Sequence, residues 1–113
     1  MAELEIFDLG DVQLQKGSVL PNAKLAYKTL GELNANKDNV VVCPTWFTGY
    51  IDDVIPIFIG EGRAIDPNKY FVVIPALFGM GESSSPSNTP PPREFSRFPR
   101  VTYYDNICCQ HRL

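Results

Sequence analysis

Histidine is nearly missing from this chain, and cysteine is scarce. The one histidine, His111, leaves no two-histidine zinc site to build. The three cysteines are odd in number, and Cys108 and Cys109 are adjacent, so they form neither a disulfide framework nor a CxxC pair. Cys43 sits in an apolar run and reads as a small buried hydrophobe. Reduced thiols fit a cytoplasmic chain. An excess of basic charge is also lacking. Ten Lys and Arg stand against 13 Asp and Glu, and no basic block exists to track a phosphate backbone, which argues against a nucleic-acid partner. No apolar run approaches the roughly 20 residues of a membrane helix. The opening Met1-Ala2-Glu3-Leu4-Glu5 is acidic where a secretory signal is basic. At 113 residues the chain is long enough for one small domain.

The patterns that are present change along the chain. Glu3 to Asp8 and Val12 to Gln15 alternate polar and apolar residues on either side of Gly10-Asp11 and predict two half-exposed strands. Lys16-Gly17-Ser18 and Pro21-Asn22 predict turns. From Ala23 to Leu30 the alternation returns, so the opening reads as an antiparallel meander with one wet side. Val40–Cys43 and Tyr70–Ile74 are instead continuous apolar runs, which suit strands covered on both faces of a parallel sheet. The residues between them suffice for a crossover, with a helix from Ile51 to Ile59 whose regularity Pro56 limits. Ala76 to Arg100 is a long loop rich in Gly, Ser and Pro; Phe78, Met80, Phe95 and Phe98 argue that part of it packs. Thr102 and Asp105 form a variant capping box for a helix that runs on through His111. No Gly, Asn or Pro ends that helix before Leu113, which points to truncation.

Two short motifs invite chemistry. Gly79-Met80-Gly81 begins like a dinucleotide fingerprint, but Ser84 replaces the third glycine and no helix follows, so no cofactor is expected. Gly81-Glu82-Ser83-Ser84-Ser85 approaches a nucleophile elbow but ends in Ser and Pro86; loop serines are the plainer reading. More informative is Pro44-Thr45-Trp46-Phe47-Thr48-Gly49, which follows an apolar strand directly. Ligands bind at the carboxyl ends of strands in open α/β sheets. Backbone N–H groups there can face a developing oxyanion, and two aromatics beside Gly49 can shape an acyl pocket or simply fill core.

Leu25–Asn34, Asn39–Gly49, Gly60–Pro67, Tyr70–Pro75, Phe78–Pro92, Phe98–Asn106 and Gln110–Leu113, in that order and spacing, resemble the homoserine O-acetyltransferase-like branch of the α/β-hydrolase superfamily. The resemblance covers nearly all of the chain after Leu9. It implies an α/β fold, with residues 1–113 as the N-terminal part of a single domain, antiparallel strands leading into a parallel sheet with crossover helices. It also implies a Ser–Asp–His triad, none of it within this chain, which ends before the nucleophile elbow. Carried over on Thr48-Gly49, it makes Phe47 the source of one backbone oxyanion-hole amide and puts Trp46, Thr48 and Gly49 at the substrate. The homoserine enzymes typically read His-Ala-Leu-Thr-Gly where this chain has Thr45-Trp46-Phe47-Thr48-Gly49. They read Gly-Ser-Thr-Gly-Pro-Ser-Ser where it has Gly79 to Pro86. The activity implied for the parent is acetyl transfer from acetyl-CoA to homoserine or a similar amino-acid hydroxyl, with a plain esterase of the same fold as the alternative. A non-catalytic binding module using the aromatic loop is the reading from a different class. The expected partners are small acyl substrates, with no cofactor, metal, nucleic acid or membrane, and with a homodimer open. The chain alone is expected to be inactive.

Overall fold

The computed structural model describes residues 3–90 and 97–113; Pro91, Pro92 and Phe95 of the long loop lie outside them. Strands β1 (Glu5–Gln13) and β2 (Val19–Leu30) form an antiparallel hairpin. The expected break at Gly10-Asp11 is instead an irregularity within one strand, with register shifts between Asp8 and Gly10 and between Gly10 and Val12. Gly10 absorbs it at φ +70 with open space around it, and Asn22 does so across the ladder at φ 47. The Asp11 carboxylate accepts the Asn22 N–H at 3.0 Å, so Pro21-Asn22 is a bulge inside β2 and not the predicted turn. This irregularity lets Leu9, Leu14, Leu20, Ala23 and Leu25 share one buried cluster with Phe78 and Cys109.

Strand β2 then pairs antiparallel with β4 (Phe71–Pro75), and β4 pairs parallel with β3 (Val40–Val42). The order is β1-β2-β4-β3, a mixed four-stranded sheet. Helix α1 (Ile51–Phe58) makes the crossover from β3 to β4. Its Ile51 and Val54 are fully buried against Ala26, Val72, Ile74 and Ala76, roughly 1.5–3 kcal/mol for each side chain. Pro56 lies inside α1, past the first turn. The helix ends two residues later, and the Arg63 guanidinium donates to the Pro56 and Ile57 carbonyls at 2.8 and 2.7 Å, so the last turn is capped from outside. Gly31 ends β2 at φ +80; a Cβ there would stand 2.2 Å from the Tyr70 carbonyl oxygen.

Only one face of β3 and β4 is covered as the apolar runs predicted. Val72 and Ile74 are buried, but Val40 and Val42 are 44% and 55% exposed: β3 is one of two edge strands among the described residues, and no helix of the described residues packs on that face of the sheet. Val40, Val42, Phe71, Val73 and Tyr27 line an open groove on the face away from α1. Cys43, expected to be buried, is half-buried at the end of this edge strand, although it still packs against the α1 cluster. Helix α2 (Tyr103–His111) starts as predicted. Thr102 Oγ1 accepts the Asp105 N–H at 3.2 Å and the Asp105 carboxylate accepts the Thr102 N–H at 2.9 Å. The other oxygen of Asp105 accepts the Gln15 N–H at 2.9 Å, which ties α2 to the end of the first hairpin strand. Among the described residues, no helix is long and apolar enough to cross a membrane.

Candidate active site

The chain leaves the carboxyl end of β3 through hydrogen bonds that extend the parallel ladder. Cys43 N–H donates to the Val73 carbonyl at 2.8 Å and Thr45 N–H to the Pro75 carbonyl at 3.2 Å. Thr45 is buried, and its Oγ1 accepts the Leu77 N–H at 3.1 Å, joining the two loops that follow β3 and β4. The next four residues, Trp46 to Gly49, form a turn closed by Gly49 N–H on the Trp46 carbonyl at 3.0 Å. Thr48, its third residue, has φ 72 while Phe47 keeps a negative φ, the pattern of a type II turn. Positive φ is a genuine outlier for a β-branched residue, and such strain clusters at functional sites.

The turn sorts the predicted site residues into different jobs. The Phe47 backbone N–H has no hydrogen-bond partner among the described residues, and Phe47 is 65% exposed. Trp46 folds back over Gly49, where an added Cβ would lie 2.5 Å from the indole Nε1, so only glycine fits beneath the ring. The same indole meets Phe58 of α1 edge-on, with centroids 6.2 Å apart. Thr48 donates its N–H to the Met80 Sδ at 3.1 Å. Burial pushes the Cys43 thiol above its ordinary pKa, which makes it a poor nucleophile.

The loop after β4 braces this turn. Ser83 is fully buried; its hydroxyl donates to the Ala76 carbonyl and accepts the Ala26 N–H, both at 2.8 Å. Ser84 Oγ accepts the Lys24 N–H at 2.8 Å, and Ser84 N–H returns a bond to the Lys24 carbonyl at 2.9 Å. Ser85 Oγ accepts the Gly81 N–H at 2.7 Å and donates to the Ser83 carbonyl at 2.8 Å. The serine run therefore continues the sheet along β2 where β4 has ended, and none of its hydroxyls is placed to attack a substrate. Glu82 points the other way and accepts the Ile51 N–H at 2.8 Å, a carboxylate on the first turn of α1.

Between turn, loop and α2 lies an open groove of 490 Å³, lined by Phe47, Leu77, Phe78, Met80, Tyr103 and Asn106 among others. A second groove on the far side of Phe47 adds Pro44, Trp46 and Gln110. Asn106 is their buried floor: its Oδ1 accepts the Phe78 N–H and its Nδ2 donates to the Thr102 carbonyl, both at 2.9 Å. The structure thus brings Phe47 and Trp46 to the same place. Met80, Tyr103 and Asn106 join them without having been singled out as site residues in the sequence, where each is separated from the turn by 30 residues or more. Their only signal was membership in stretches that resemble a known family. His111 is exposed at the end of α2 and no part of the groove. Among the described residues no group of His, Cys, Asp and Glu could hold a metal ion.

The structure of an acetylester hydrolase from Corynebacterium glutamicum superposes on 98% of this chain with a TM-score of 0.94 at 37% identity. The ethyl acetate hydrolase of Pseudomonas veronii is 38% identical over 96% of the chain, and the homoserine O-acetyltransferase of Thermobifida fusca 36% identical over 88%. The chain is an α/β-hydrolase relative of the acetyl esterases and homoserine O-acetyltransferases. No protein-family model matches it. It spans about a third of the length of the curated relatives it matches, 31% of the hydrolase and 30% of the transferase. The four-stranded mixed sheet with its crossover helix is accordingly one portion of an α/β-hydrolase sheet.

Proposed function

We propose that this chain supplies the oxyanion-hole loop of a serine-dependent enzyme acting on acetyl or similarly small acyl esters, with the nucleophile elbow and its histidine and acid outside these 113 residues. The observation that carries this reading is the Phe47 N–H, an unpaired donor on a braced type II turn at the carboxyl end of a parallel strand. An attacking serine would turn the ester carbonyl oxygen into an anion. The Phe47 N–H would donate a hydrogen bond to that oxyanion together with a second amide following the serine, and collapse would expel the alcohol, protonated by the histidine that had taken the serine's proton. Hydrolysis of the acyl-serine by water is favoured over transfer to an amino-acid hydroxyl, because the relatives at 38% identity and a TM-score of 0.94 are acetyl ester hydrolases. Transfer from acetyl-CoA to homoserine is the second reading, supported by the 36% identity to a homoserine O-acetyltransferase.

The test uses the second position of the turn. Proline is favoured there in type II turns, so Phe47→Pro removes the N–H without opposing the backbone. In the enzyme that carries this segment, Phe47→Pro is expected to lower kcat on ethyl acetate by about 10²–10³-fold, the cost of one lost oxyanion donor. Phe47→Ala, which keeps the N–H, should fall far less. Equal losses in the two variants would overturn the assignment. Homoserine-dependent consumption of acetyl-CoA exceeding ester hydrolysis would move the reading from hydrolysis to transfer.

A further inference from the structure

We propose that Trp46 is a positioning residue for the Phe47 amide, its indole locking the peptide group that carries the Phe47 N–H. This rests on the oxyanion-hole reading of Phe47 and deepens it. The Phe47 N–H and the Trp46 carbonyl belong to one planar, trans peptide group and point in opposite directions. Whatever fixes the carbonyl therefore fixes the N–H. The Trp46 carbonyl accepts the Gly49 N–H at 3.0 Å across the turn, so the Phe47 N–H is aimed outward, away from the turn's interior. Rotating this peptide about its flanking ψ and φ far enough to move the N–H would break that bond.

The indole makes that bond hard to give up. Phe47, Thr48 and Tyr50 are exposed, yet Gly49 among them is buried. The Trp46 ring covers it: the place of a Gly49 Cβ lies 2.5 Å from Nε1, 2.6 Å from Cε2 and 2.9 Å from Cδ1 of the indole. A buried N–H that loses its acceptor has no water to replace it, and the loss costs the full desolvation of the group. The ring is itself held from two sides. On the backbone side, Thr45 is tied to the Pro75 carbonyl through its N–H and to the Leu77 N–H through its hydroxyl. On the outer side, Phe58 meets the indole edge-on with centroids 6.2 Å apart. Phe58 is the last residue of α1 and lines neither groove beside Phe47. The coupling thus runs from α1 through Phe58 and the indole to Gly49, then through the Trp46 carbonyl to the Phe47 N–H in the same peptide.

The variants are Trp46→Leu, which removes the ring, Trp46→Phe, which keeps a ring over Gly49, and Phe58→Ala, which removes the outer contact and leaves every residue of the turn in place. All are made in the enzyme that carries this segment, with isotope-labelled glycine so that exchange of the Gly49 amide is read by NMR. Trp46→Leu should speed Gly49 exchange about tenfold, as expected for weakening one hydrogen bond. It should lower kcat on ethyl acetate about tenfold with KM little changed, part of the full cost of an oxyanion donor. Trp46→Phe should recover most of both losses. Phe58→Ala should move exchange and kcat in the same direction by about threefold, the weight of one aromatic pair. Unchanged Gly49 exchange in Trp46→Leu would overturn the clamp. Faster exchange with an unchanged kcat would overturn the positioning role while leaving Phe47 in place. A raised KM at unchanged kcat would make Trp46 a substrate contact and overturn the proposal as well. If Trp46→Leu does not fold, unchanged exchange and kcat in Phe58→Ala overturn it alone. A Phe47→Pro variant with full activity would overturn the Phe47 reading itself, whatever the behaviour of Trp46.

Discussion

Replacing Ser83 with alanine removes one oxygen that serves two buried backbone groups. The Ser83 hydroxyl accepts the Ala26 N–H and donates to the Ala76 carbonyl, each at 2.8 Å, and Ser83 has no exposed surface. Alanine leaves both backbone groups without that partner. The Ala76 carbonyl is then alone, since Ala76 is paired to β2 only through its own N–H on the Ala26 carbonyl at 2.8 Å. An unsatisfied buried polar group costs about 1–3 kcal/mol, so two give about 3 kcal/mol once partial relaxation is allowed. That is a large share of the roughly 5–15 kcal/mol that holds a domain folded.

Urea denaturation measures this directly. With a slope of about 2 kcal/mol per molar, Ser83→Ala should lower the midpoint by about 1.5 M and leave the slope unchanged. The comparison belongs at one fixed, low protein concentration, because association through the open sheet face would couple to unfolding. Ser87 is the control: it is exposed, and Ser87→Ala should shift stability by less than about 0.5 kcal/mol. A Ser83→Ala midpoint within about 0.3 M of the parent would refute the structural role. In the enzyme that carries this segment, loss of esterase turnover on Ser83→Ala without loss of stability would go further and put the nucleophile back in the serine run.

Gly49→Ala places a methyl 2.5 Å from the Trp46 indole and should cost about 1–3 kcal/mol; Trp46→Leu in the same chain should recover most of that, a coupling readable as a double-mutant cycle in urea midpoints. Asp66 adds a pH dependence of definite sign. The Asn68 N–H first and the Gly62 N–H second hold its carboxyl below the ordinary aspartate value, so the folded pKa lies under the unfolded one. The stabilisation is complete above about pH 4 and is lost as pH falls through the folded value, so Asp66→Asn should flatten the fall in urea midpoint between about pH 5 and about pH 2.5.

The fold was legible where pattern and environment agree locally. The capping pair Thr102 and Asp105 needs only its own first turn, and the structure closes that box as the spacing implied. The crossover from β3 to β4 follows from two apolar runs and a helix-length interval, and the helix lies at Ile51–Phe58. Legibility failed where a partner lies far along the chain. Gly10-Asp11 and Pro21-Asn22 look like breaks because their residues suit turns, but they face each other across one ladder and cancel as paired irregularities. Val40 and Val42 read as covered because apolar runs are usually buried; cover for their open face would come from elements packed on that side, and among the described residues Leu113 is the one residue from outside the sheet that lines the groove.

The site divides along the same line. The Phe47 amide came from resemblance and not from spacing, since a backbone N–H leaves no mark on the residue type that carries it. Gly49 was singled out by resemblance as a substrate residue, and its packing role under the Trp46 ring was not legible, because the ring's place is set by a torsion the sequence does not encode on its face. The serines were the hardest case. A hydroxyl near two glycines suits an elbow, a loop or a sheet extension equally well, and the choice is made by Lys24 and Ala26, about 60 residues earlier in the chain. Because β4 ends at Pro75 while β2 runs on from Val19, those backbone groups need partners before any catalytic role could be considered. The demand for buried hydrogen bonds therefore decides the fate of Ser83 and Ser84, and only what remains of the loop is free to reach outward: Met80 to the turn beside the groove, and the carboxylate of Glu82 to the first turn of α1.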